Sequence, residues 1–209
     1  MKSLPDKSNL LPWLAAISGA LWIWAAIRPL DRQAWLLENV LLIAFVVALS
    51  VAHRRLQLSN GSYLLVTAFC LLHIIGAHYT YARMPLGLWA RDHFELSRNH
   101  YDRFAHGAFG FLLAFPIREL LQRFSGISRV WSFWLPPAVI VAVSGLFEII
   151  ESIAAELIAP GQGVRWLGGQ GDEWDAQNDM LSAMVGSLLM MSIWALRERN
   201  GAKRWVQAK

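Results

Sequence analysis

Long, nearly charge-free stretches recur along this chain, and nothing else in it constrains the fold as strongly. A helix needs roughly 20 apolar residues, within a range of about 17–25, to cross a bilayer. Six segments approach that requirement: 8–27, 33–52 with Glu38 near its start, a stretch within 56–82, one from near 101 to 117, one from 130 to 158 interrupted by Glu148 and Glu151, and one from 178 to 196. The fourth is the shortest, since its charge-free part begins only at Phe104. Composition agrees. Apolar residues make up 56% and charged residues 16% of 209 positions, against about 45–50% and about 25% in globular domains. The spacing therefore predicts an all-α, polytopic membrane protein, a bundle of about six transmembrane helices forming one integral membrane domain over 1–209.

The net charge of +4 needs no nucleic acid to explain it, because Lys and Arg collect in cytoplasmic loops of membrane proteins. The single cysteine, Cys70, lies in an apolar run and reads as a packing residue, with no intrachain disulfide or cysteine metal cluster open to it. The run 8–27 is long enough to span and ends in Trp22 and Trp24, so it reads as the first membrane helix rather than a cleaved leader. Twelve of the nineteen Lys and Arg residues fall on the side holding both termini, Arg54–Arg55 and Arg118–Arg129; seven fall on the other. The richer side is expected in the cytoplasm, which sets both ends inside a bacterial inner membrane. Trp13, Trp131, Trp134 and Trp194 at inner helix ends, and Trp22, Trp24 and Trp35 at outer ends, read as interfacial belts.

The polar residues that remain inside the spans are clustered. Asp102 and His106 stand four apart at the start of the fourth span, on one helical face. Glu148 and Glu151 stand three apart late in the fifth, one turn after Ser144. Asp172, Asp175 and Asp179 lead into the sixth, beside Gln177 and Asn178, and His73 and His78 lie toward the outer end of the third. Glu148 falls about 18 residues into its helix, or about 27 Å, which brings it to the outer level where the fourth and sixth spans begin. Four helices thus offer imidazole and carboxylate groups at one depth. Gly107, Gly110, Ser144, Gly145, Ser182 and Gly186 would let the last three helices approach closely around them.

Such groups suit a divalent metal ion or acid–base chemistry. Clustered carboxylates repel one another until a cation or shared proton relieves them. The blander readings are an interfacial position for Asp102 and Arg103, a loop or helix-capping role for Asp172, a structural ion pair of Glu148 and Glu151 with Arg103 or Arg165, and helix-to-helix hydrogen bonding for His73 and His78.

The segments His73-Ile-Ile-Gly-Ala-His78-Tyr-Thr-Tyr81, Arg98-Asn-His100-Tyr-Asp102-Arg-Phe-Ala-His106, Glu148-Ile-Ile-Glu151 and Gly171-Asp172-Glu-Trp-Asp175 resemble the YjdF family, bacterial inner-membrane proteins with a domain of unknown function. The resemblance covers almost the whole chain. A fainter similarity is to VanZ-like membrane proteins, whose layout Asp102, His106, Glu148 and Asp175 or Asp179 would match; Glu151 and the longer acidic stretch depart from it. Neither resemblance implies a reaction.

Three functions compete on these residues. The first is an enzyme acting at the outer leaflet on a lipid or lipid-linked substrate. In it Asp102, His106, Glu148, Glu151, Asp175 and Asp179 would be the catalytic groups, and Asp102, His106, Glu148 and Asp179 would hold a metal. Arg98, Arg103 and Arg165, with His78, Tyr101 and Trp174, would bind the substrate. The second is a non-enzymatic binding or structural membrane protein. The third is a transporter, which the lack of acidic or histidine groups in the inner halves of the spans disfavours.

Overall fold

The structure, a computed structural model, describes residues 7–158 and 170–207. Among the described residues the elements are seven helices: α1 (Lys7–Ala26), α2 (Arg32–Leu56), α3 (Asn60–His78), α4 (Pro85–His93), α5 (Tyr101–Ser125), α6 (Trp131–Ile158) and α7 (Asp175–Gln207). Helices α2, α3, α5, α6 and α7 are long and apolar enough to cross a membrane, and α1 carries a shorter apolar stretch, Leu10–Ala26. The protein is a polytopic all-α membrane protein. Its outer surface carries the matching side chains: Val40 and Val47 on α2, Leu146 and Ile153 on α6, and Leu189 on α7 are all exposed, an arrangement at home in hydrocarbon and costly in water.

Local chemistry sets the helix ends. Asp31 caps α2 by accepting from the backbone N–H groups of Gln33 and Ala34, at 2.9 and 3.0 Å. Gln57, in the left-handed region at φ 45°, stops the same helix. Ser59 caps α3, and Gly126 at φ 58° ends α5. Helix α5 runs to Ser125 rather than stopping near 117, because its basic residues are paired instead of solvated. Arg118 is buried, donates to Glu198 at 2.7 Å and lies 4.6 Å from the centre of the Phe133 ring. Arg123 donates to the Leu56 and Gln57 carbonyls and to Glu119. Helix α4 lies between the third and fourth expected spans, where the sequence has no apolar run of spanning length. Pro85 in its first turn favours it, and exposed Leu86 and Trp89 fit a short helix lying at the interface.

Helix α5 stands at the centre, packed against α7, α3 and α6, while α1 and α2 pack on α3. The closest crossing is α5 on α7. A Cβ at Gly110 would run into the Ala183 carbonyl, and one at Gly186 into the Gly107 carbonyl, so these backbones touch as small residues allow. Val66, Ile74, Leu113, Ala183 and Met190 form the main apolar core. Trp22 and Trp35 depart from the expected belt. Their ring centroids are 5.5 Å apart between α1 and α2, Trp35 is buried, and Trp22 Nε1 donates to Asn39 Oδ1 at 2.6 Å. A buried asparagine needing a donor draws the indole inward.

Candidate functional site

The first turns of α5 and α7 and the later part of α6 bring their polar side chains together at one end of the bundle. His106 Nε2 lies 3.8 Å from Asp102 Oδ1, one turn away on α5, and 3.3 Å from Glu148 Oε1 on α6. Its other nitrogen, Nδ1, shares a 3.3 Å hydrogen bond with Ser144 Oγ. Ser144, one turn before Glu148, is almost fully buried and fixes the plane of the ring, as an outer partner does for a metal-bound imidazole. Asp179 comes from α7 and is 1% exposed. Ligand-capable atoms of His106, Glu148 and Asp179 all lie within 4.8 Å of one another, and so do those of Asp102, Asp175 and Asp179. The two triads share Asp179.

A second layer closes the end of the bundle. Arg98 donates to Asp175 at 2.5 Å and to Asp172 at 3.3 Å, and Arg103 donates to Asp172. The expected partnership of Arg103 with Glu148 or Glu151 is therefore corrected. Its guanidinium points to the turn before α7, where Asp172 is the nearer acid, while Glu148 meets His106 instead. Asp172 also accepts from the Trp174 backbone N–H at 3.0 Å. That bond, ahead of Arg103 and Arg98, holds its carboxyl below the usual carboxylate range. His100 accepts from Arg103 through Nδ1 at 3.3 Å. Burial, then the Arg103 and Arg98 charges, push its imidazole below the usual range.

These pairings divide the acids. Arg98 and Arg103 answer Asp172 and Asp175. Asp102, Glu148 and Asp179 are left facing His106. Among the described residues, Glu148 Oε1 and Asp179 Oδ1 are buried without a hydrogen-bond partner; the 3.3 Å approach of His106 to Glu148 is close enough for an ion pair but not aligned as a hydrogen bond. An unanswered buried carboxylate oxygen is costly, and a cation or a shared proton would answer both.

The other expected residues lie around this centre in different states. Glu151 is half-buried and lines a groove with Asp102, His106, His73 and Tyr81. Tyr101 is buried, and its hydroxyl donates to the Leu72 carbonyl at 3.0 Å. Trp174 is 66% exposed. His78 turns to α1, with Nδ1 donating to the Ala25 carbonyl at 2.9 Å and its ring stacked on Trp24. Arg165 lies outside the described residues.

Sequence reasoning passed over two residues here. Glu38 of α2 lines the same groove, and its backbone carbonyl accepts from His73 Nε2 at 3.1 Å. That leaves His73 Nδ1 as acceptor for the Tyr81 hydroxyl, 2.6 Å away. Glu38 stood out as the one acid within its apolar run, and an ionisable group inside a span is by default a functional lead. Asn99, 1% exposed, ties the adjoining loop: its Nδ2 donates to the Ala82 and Met84 carbonyls and its Oδ1 accepts from the Tyr101 N–H. No pattern in the sequence marked it.

Comparison with known proteins places the chain. A family model described as "Predicted membrane protein (DUF2238)" matches residues 10–200. The Inner membrane protein YjdF of Escherichia coli (strain K12) is 36% identical over 168 residues, covering 79% of each chain. No solved structure matches.

Proposed function

The chain belongs to the DUF2238 family of membrane proteins, and we propose that it is a cation-dependent enzyme acting on a lipid or lipid-linked substrate at the outer end of the helix bundle. One observation carries the reading: His106, Glu148 and Asp179 come from three different helices to within 4.8 Å, and two of their carboxylate oxygens are buried without a partner. A mixed imidazole and carboxylate set suits borderline ions such as Zn²⁺ or Mn²⁺. Such an ion would supply an activated water or polarise an ester or phosphoryl oxygen. Asp102 and Asp175 would steady the site from the α5 and α7 side, Ser144 would orient His106, and Glu151 would stand ready as an acid or base on the groove wall.

The ion pairs of Arg98 and Arg103 favour a structural role for Asp172 and Asp175 as a clamp joining α5 to α7. The arginines remain able to face an anionic headgroup by exchanging partners. A transport path finds less support, because the far end of α5 is closed by Arg118 with Glu198 rather than by a matching acidic file.

The test is elemental analysis of protein purified without chelator. Wild type should carry about one divalent ion per chain, and His106→Ala and Asp179→Asn should lose it while keeping their helicity. Wild-type protein free of metal, and refusing added Zn²⁺ and Mn²⁺ in titration, would leave the cluster as a proton-sharing packing network.

A further inference from the structure

A cavity of about 620 Å³ runs from the acids of the candidate site down the bundle, between α2, α3, α5 and α6. Its polar end is formed by Glu38, Asp102, His106 and Glu151. Beyond Phe109 the α5 wall turns apolar, through Leu113 and Pro116 to Leu120. On α2 the lining residues recur every three or four positions, Leu41, Phe45, Ala48, Ala52, as one helical stripe. The flanking walls reach the outside: Phe45 on α2 and Val143, Leu146 and Ile150 on α6 are exposed, so the cavity is a groove open sideways between α2 and α6, at the depth of the hydrocarbon.

Its dimensions select an occupant. From Asp102 to Leu120 is about 18 residues, or about 27 Å of helix. Over that length the 620 Å³ volume leaves room for one hydrocarbon chain packed at carbon spacings of about 4 Å. The wholly apolar part, Phe109 to Leu120, is about 16 Å long, close to half of the roughly 30 Å hydrocarbon core. That is the reach of one leaflet-length acyl chain.

We infer that the groove between α2 and α6 takes one acyl chain of a bilayer phospholipid, tail toward the Leu120 end, so that the bond nearest its headgroup lies against Asp102, His106 and Glu151. The second chain stays in the bilayer through the sideways opening. The inference rests on the enzyme reading for its chemical consequence, since chain binding alone could also serve a non-catalytic lipid-holding protein. It makes the substrate a molecule that never leaves the membrane, drawn in sideways rather than from the aqueous face.

The experiment uses the full chain in nanodiscs with a phosphatidylethanolamine carrying a diazirine at the end of one acyl chain. Leu113 is only 7% exposed and no residue from 109 to 120 is exposed on the outer surface, so a lipid tail reaches this stretch chiefly through the groove. After illumination, peptides covering 109–120 of α5 should carry the label. Ala48→Trp, which plugs the groove, should lower that labelling at least fivefold while leaving labelling of the lipid-facing side of α7 unchanged. Should Ala48→Trp not accumulate, Leu146→Trp on the opposite wall gives the same readout. Label confined to the outer faces of α2 and α6, with α5 at background in wild type, overturns the proposal. His106→Ala and Asp179→Asn should lose metal yet keep α5 labelling, and Ala48→Trp should keep metal; the metal reading and the groove reading therefore fail separately.

Discussion

Asp172 shows how much one side chain can hold. It receives the Trp174 N–H, Arg103 and Arg98, and its carboxyl titrates below the usual range. A carboxyl depressed in the folded state stabilises above its unfolded pKa and stops doing so as pH falls through its lowered folded value. Asp172→Asn should therefore melt at a lower temperature than wild type at about pH 7, with the difference shrinking as pH falls below the usual carboxylate pKa of about 3.9 and vanishing once the depressed folded value is passed; a gap that stays constant from neutral to acid pH would remove the charge from the explanation. Much of this site was legible in the sequence because helices are periodic. Asp102 and His106 four apart, and Glu148 at a depth computable from its helix start, fall together once the spans alternate direction. The partners were less legible. Whether Arg103 meets Glu148 or Asp172 depends on how the turn before α7 folds back, which neither spacing nor charge counting encodes. Glu38 stands alone on α2, with no second polar group at helical spacing to mark that face as part of the site.

At the scale of helices, the crossing of α5 on α7 sets the site, because it brings Asp102 and His106 beside Asp175 and Asp179. The spacing of Gly107, Gly110, Ser182 and Gly186 foretold a close approach, and the structure has it with Gly110 against Ala183 and Gly186 against Gly107. Backbone atoms cannot swing aside as side chains do. Gly110→Val should cost about 1–3 kcal/mol, the range for overpacking, and should abolish metal retention. Leu189→Ala on the exposed face of α7 should do neither; unfolding in mixed micelles together with elemental analysis reads both. Span positions were legible to within a few residues at most ends. The exceptions have separate causes. Helix α5 outruns its apolar stretch because Arg118 and Arg123 find acceptors on other elements, and tertiary pairing of that kind lies beyond any hydropathy window. Helix α4 was overlooked because it is too short and too polar to announce a span.

For the whole molecule, the two ends of the bundle differ in kind. One holds the carboxylates and His106; the other is knitted by Arg118 and Arg129 to Glu198 and by Glu119 to Ser59 and Ser62. We propose, from the excess of Lys and Arg on the Arg118 side, that this end faces the cytoplasm. Reporter fusions should place Lys209 in the cytoplasm and Glu95 on the opposite side; a swapped result would invert the assignment, and agreement between the two would discard the span count. The α5–α7 crossing also imposes an order on manufacture. Asp102 and His106 on α5 are synthesised first, and Asp175 and Asp179 on α7, which stand beside them in the finished bundle, follow more than a full helix later. The cluster is therefore complete only once the last helix has been made and packed against α5.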